Sequence, residues 1–115
     1  MHKKFWLDRN EIYEIAPGRG GCIATDRITV DGQKVGFMYR EQTDRDLDSG
    51  WRFMASDETQ EYMDNADNHG VYDVNTIANY DPDIVPMLDA PFGSAFERQA
   101  NTGPFTQVPF DPPDE

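Results

Sequence analysis

A chain of 115 residues, 37% of them apolar and 12% aromatic, has room for one hydrophobic core and little besides. No stretch approaches the roughly 20 apolar residues of a membrane span. A net charge of −12 disfavours nucleic acid and anionic lipid as partners. What remains is an acidic single-domain protein whose core must draw its bulk from Phe, Tyr and Trp.

The charge is unevenly placed. Residues 1–52 carry nine basic and nine acidic side chains, whereas residues 53–115 carry thirteen acids and one base, Arg98. Such a field steers basic partners inward and also serves solubility. A single cysteine, Cys22, allows no internal disulfide and fits a reducing compartment. The opening Met1-His2-Lys3-Lys4-Phe5-Trp6-Leu7-Asp8 meets an acid before an apolar run develops, so it does not read as a secretory signal. A cytoplasmic location is the expectation.

In chain order, residues 11–15 alternate weakly and predict an edge strand, which Pro17-Gly18-Arg19-Gly20-Gly21 ends. Cys22-Ile23-Ala24-Thr25 and Ile28-Thr29-Val30 are β-prone and lead into Asp31-Gly32, a hairpin turn signal. The returning strand, 35–40, alternates so that Val35, Phe37 and Tyr39 share one face and Gly36, Met38 and Arg40 the other. After an acidic loop, residues 50–54 predict a third strand. Ser56 then caps a short helix near 57–64, with Tyr62 and Met63 turned to the core. Residues 71–74 predict another strand. Asp81-Pro82-Asp83 opens a second helix, with Asp81 as cap and Pro82 in its first turn. From residue 99 the chain is rich in proline and acids and reads as an extended tail of little weight in stability.

Motifs that would carry chemistry are incomplete. Asp44-Arg45-Asp46-Leu47-Asp48 has acids at alternate positions, as a calcium loop does, but Ser49 stands where the turn glycine belongs and Ala55 where the bidentate glutamate belongs. Specific calcium binding is not expected. Gly18-Arg19-Gly20-Gly21 is followed by strand residues rather than a helix, so it reads as a turn and not a phosphate cradle. For nucleophilic catalysis the candidates are Cys22, His2, His69 and the serines 49, 56 and 94. Only His69 is placed to act as a base, and no third group is evident to orient it. No cofactor or metal is expected. The densest chemistry lies in Met38-Tyr39-Arg40-Glu41 and Asp48-Ser49-Gly50-Trp51-Arg52-Phe53, where aromatics adjoin arginines. Arg40 or Arg52 can bridge Glu41, Asp48 or Glu58 across a sheet. Exposed Trp, Tyr and Arg also make binding anchors, although Trp51 is read first as core.

Those two blocks, together with Cys22-Ile23-Ala24-Thr25-Asp26-Arg27-Ile28, the Asp31-Gly32 turn, Asp57-Glu58 and Gly93-Ser94-Ala95-Phe96-Glu97-Arg98, resemble a bacterial family long known as a domain of unknown function. That family is grouped with the immunity proteins of polymorphic toxin systems, as the thirty-third immunity family. The resemblance spans about residues 21–98. It implies a cytosolic protein that neutralises a toxin by binding it, with no cofactor and no catalysis.

The expected architecture is α+β: an antiparallel sheet with two short helices over residues 1–98, then an acidic tail over 99–115. The expected function is non-catalytic protein binding of the immunity type, with a basic toxin domain as partner and neither nucleic acid nor membrane involved. Candidate binding residues are Tyr39, Arg40, Glu41, Asp48, Trp51, Arg52, Asp57, Glu58 and Glu61. The rival readings are a small-molecule or metal-binding module around Arg40, Trp51 and Glu58, and a hydrolase or transferase using His69 with a serine or Cys22.

Overall fold

Alternation along Gly21–Thr25 sends Cys22 and Ala24 inward and leaves Ile23 on the opposite side, which makes this segment the strand β1 of a two-faced sheet. A computed structural model describes residues 3–99 and 103–109 of the chain. Within them β1 is followed by helix α1 (Asp26–Thr29), strands β2 (Phe37–Arg40) and β3 (Asp48–Met54), and helix α2 (Gln60–Asp64). A 3-10 turn at Ala66–Asn68 leads to strand β4 (His69–Asp73) and helix α3 (Val74–Tyr80). A 3-10 segment at Pro82–Met87 precedes strands β5 (Ala95–Glu97) and β6 (Thr106–Val108). The sheet order is β4-β1-β3-β2-β5-β6, antiparallel except for the parallel pair β1–β3. The architecture is α+β, as the sequence indicates.

One face of the sheet carries the core. Cys22, Ala24, Met38, Trp51 and Phe53 pack there with Ile28 of α1, with Val74, Ile77 and Ala78 of α3, and with Ile84 and Leu88. Trp51 and Phe53 stack with ring centroids 6.1 Å apart. Fully burying aromatic and aliphatic side chains of this kind contributes about 1.5–3 kcal/mol each, which is how a lean composition still yields a core.

Several local expectations are corrected. Residues 11–15 form no strand: a 3-10 turn at Arg9–Glu11 is followed by irregular chain whose amides are held by side chains of α3. The Tyr13 amide donates to Asn79, and those of Ile15 and Ala16 to Asn75. The hairpin at Asp31-Gly32 is absent. Asp26–Thr29 coils instead, burying Ile28 and Thr29, and the Gly32 and Gln33 amides close the turn onto the carbonyls of Ile28 and Arg27. Gly32 sits at φ +77° under the Trp6 indole, where an added Cβ would come within 2.5 Å of the ring. It is thus a helix-ending glycine, and not half of a hairpin turn.

The cap of α2 is Thr59, whose hydroxyl accepts the Tyr62 amide at 3.0 Å; Ser56 instead lies at φ +85° before the helix begins. Tyr62 and Met63 are half-buried, and α2 has no fully buried residue. The helix α3 was not expected at all. Asp81 does cap the following segment, accepting the Asp83 amide at 3.2 Å, but the helix there is 3-10 and contains Pro86.

Within the stretch expected to be tail, Thr106–Val108 pairs with β5, and Phe105 packs on the core and over the Arg98 guanidinium, 4.4 Å from its ring centroid. Residues 100–102 and 110–115 of that stretch lie outside the described residues, as does His2. No described helix is long and apolar enough to cross a membrane.

Candidate functional site

The face of the sheet turned away from the core is built by strand register. Val71 of β4 lies opposite Ile23, Ile23 opposite Arg52, Arg52 opposite Tyr39, and Tyr39 opposite Ala95, so one row crosses five strands. Arg52 is the centre of this row. It bonds Asp48 through two parallel contacts of 3.0 and 2.9 Å and Glu41 through a third of 2.6 Å. Burial works against the Arg52 charge, and the bonds to Asp48 and Glu41 more than offset it, so its pKa stays above the usual arginine value. Arg52 in turn holds the Asp48 carboxyl down to about 2. Burial, and then the Glu41 carboxylate, pushes the Tyr39 hydroxyl up.

Asp48 and Arg52 are four residues apart on one strand, where a regular rise of about 3.3 Å per residue would separate them by roughly 13 Å. A bulge brings them together. Gly21 pairs with Asp48 while Ile23 pairs with Arg52, so β3 carries two extra residues at this point. Gly50 takes φ +87° and donates its amide to Asp48 at 2.9 Å; a Cβ there would lie 2.3 Å from the Glu41 carbonyl oxygen. Ser49 completes the bulge, its hydroxyl donating to the Gly21 carbonyl at 2.6 Å and accepting the Trp51 amide at 3.1 Å. The bulge is therefore fixed by side chains, and the charge cluster above it is preorganised.

Three recesses meet around Ile23, two of them also lined by Arg52. One of about 540 Å³ is lined by Glu41, Thr43, Asp44, Arg45 and Asp48. A smaller one of about 210 Å³, mostly apolar, lies between Leu47 and Val71. The third, about 150 Å³, runs under Met63 of α2 towards His69 and Met54. The open face is thus a trough, with the loop 42–47 at one end and α2 at the other.

The other predicted residues go elsewhere. Arg40 lies on the core side opposite Trp51, donating to the carbonyls of Ser49 at 2.8 Å and Ala90 at 2.7 Å and stacking on Phe92 at 4.6 Å. Trp51 is 1% exposed and donates its indole N–H to the Leu88 carbonyl, so it is core and not an anchor. Asp57 pairs with Arg27, which lowers its pKa. Glu58 accepts the Thr25 hydroxyl and the amides of Ala55 and Ser56, closing the turn after β3. Glu61 is exposed on α2.

Arg40 and Trp51 share a recess with Arg19 and Asp89 that Glu58 does not reach. The His69 Nε2 lies 2.8 Å from the Met63 carbonyl oxygen, and no hydrogen bond among the described residues joins it to Cys22 or to a serine. Cys22 is buried, which pushes its thiol up and away from reactivity. No group of three or more described His, Cys, Asp or Glu side chains is arranged to hold a metal ion. The reading from sequence missed Ile23, Leu47 and Val71. Singly exposed apolar residues are ordinary, and it is the strand register that brings these three together, so the sequence alone did not mark them.

The sequence pattern of the Imm33 immunity protein domain matches residues 22–109, from β1 through β6. No curated protein and no solved structure matched in the corresponding comparisons.

Proposed function

This chain belongs to the Imm33 immunity protein family, which gives it a role in toxin immunity, and we propose that it performs that role by binding a basic toxin domain directly, without catalysis. The family match over residues 22–109 carries the reading. The charge distribution supports its finer part: from Arg52 to Arg98 the chain has ten acids and no base between them, a field that attracts a cationic cleft such as one that handles nucleic acid. The cytoplasm, where such a toxin would act, is the location this role requires.

The test is a search of the adjoining genes for a toxin domain, co-expression of this chain with that domain, and binding of the purified pair. Relief of growth arrest with a stoichiometric complex is expected, and association should slow steeply between about 50 and 300 mM salt, over which the Debye length falls from roughly 14 to roughly 6 Å. Growth arrest that persists despite soluble expression of this chain would refute the immunity role. An association rate indifferent to salt would refute the electrostatic part alone.

A further inference from the structure

The open face of the sheet combines three properties: an apolar notch, an acidic rim and a preorganised framework. Leu47 is 84% exposed and Val71 is 79% exposed, and they flank Ile23 across the mostly apolar notch of about 210 Å³. Scattered exposed apolar residues are ordinary, but two on either side of a partly buried third make a patch. Next to the notch, residues 41–52 carry four acids against two arginines. Arg52 is already neutralised by Glu41 and Asp48, whereas Asp44 and Asp46 have no ion-pair partner among the described residues. Finally, the bulge at Ser49 and Gly50 holds this arrangement in place before any partner arrives, so little ordering entropy remains to be lost on binding.

We propose that the toxin domain docks on this face, setting an aliphatic or aromatic side chain into the notch among Ile23, Leu47 and Val71 and a lysine or arginine against Asp44 and Glu41. The inference rests on the immunity reading and names its surface. The apolar notch supplies the anchor, and the acidic rim selects a basic partner and accelerates its approach. Arg52 is balanced by Asp48 and Glu41, and although Arg45 also lines both recesses, the four acids of residues 41–52 outnumber its charge and that of Arg52, so the face still favours a cation. The strand edges are not needed, since the contact is made through side chains on the face.

The experiment titrates a catalytically inactive form of the toxin domain identified by that search against four proteins. These are the native chain, Leu47→Ala/Val71→Ala, Asp44→Lys/Asp46→Lys, and Tyr13→Ala/Ile15→Ala as a control on the helical side, where Tyr13 is 70% exposed. Equal melting temperatures establish that all four are folded. The notch variant is expected to raise Kd about 100-fold, two anchors at roughly tenfold each, while the control matches the native chain. Asp44→Lys/Asp46→Lys is expected to slow association at least tenfold at low salt. Native affinity in the notch variant would overturn the docking face and leave the immunity reading standing. A loss confined to the helical-side control would likewise overturn it. If the native chain itself does not bind the toxin domain, the immunity reading falls and this inference falls with it.

Discussion

Arg98 should be the most sensitive polar position in the chain. Its side chain has no exposed surface, and Asp81, which it pairs with, is 2% exposed. The guanidinium also donates to the Val35 carbonyl at 2.8 Å, to Asp83 at 3.0 Å and to the Gly103 carbonyl at 3.3 Å. Asp81 meanwhile accepts the Val35 amide at 2.9 Å. Arg98→Met keeps much of the volume but leaves the Asp81 charge buried without its partner, a change that costs about 3–5 kcal/mol. Against a total stability of roughly 5–15 kcal/mol, that is a large share. The double variant Arg98→Met/Asp81→Asn removes the orphaned charge, but its single amide oxygen can accept only one of the Val35 and Asp83 amides that Asp81 holds, so it should regain about 1 kcal/mol rather than the whole loss. Urea unfolding of the native chain and both variants measures this. Arg98→Met within about 1 kcal/mol of native would refute the reasoning, and a double variant no better than the single would assign the loss to packing beneath Phe105 instead.

Asp48 has its folded-state pKa lowered to about 2 from an ordinary 3.8. The stability it contributes is therefore complete above 3.8 and lost as pH falls towards 2, and Asp48→Asn should flatten the acid limb of a stability–pH curve over that window. Ser56 lies at φ +85°, a conformation disfavoured for side-chain-bearing residues, so Ser56→Gly should stabilise the fold by up to about 1 kcal/mol in thermal unfolding. Ending the chain at Gln99 removes β6, Phe105 and the Gly103 carbonyl, and should lower the melting temperature by more than about 5 °C, the scale of 1 kcal/mol in a domain of this size.

The parts of the fold that were legible are those where burial and local preference agree. Cys22-Ile23-Ala24-Thr25 is β-prone, the 50–54 segment is rich in large side chains that suit a buried strand, and the two lie in β1 and β3. Where they disagree, tertiary burial decides. Ile28, Thr29 and Val30 are β-prone, yet only a helical turn places Ile28 and Thr29 in the core directly after β1, and Gly32 then supplies the stop. The helix α3 was hidden by a shared residue. Val74, Ile77 and Ala78 have helical spacing and are all fully buried, but assigning Val74 to the strand before it erased the period. The tail was judged on composition, which is blind to one ring. Phe105 has the buried Arg98 guanidinium to stack on, and that fixed point draws β6 onto the sheet.

The site was legible in its residue types and not in its grouping. Two blocks, each joining an aromatic to an arginine, suggest one mixed cluster, but strand alternation splits both. Tyr39 and Arg52 face outward together, while Arg40 and Trp51 face the core together, each pair formed across the strands and not along them. The divided arginines then meet different fates. Arg40, on the core side, is satisfied by carbonyls and ring faces and pairs with no carboxylate among the described residues. Arg52, outside, takes two, and it reaches Asp48 only because the bulge at Gly50 folds four residues of strand into contact, a feature to which the Asp-Ser-Gly triplet was the single clue. With Arg40 absorbed by the core and Arg52 balanced by Asp48 and Glu41, the four acids of residues 41–52 outnumber Arg45 and Arg52 on the open face, and the sign of that face follows from where the arginines point rather than from net charge alone.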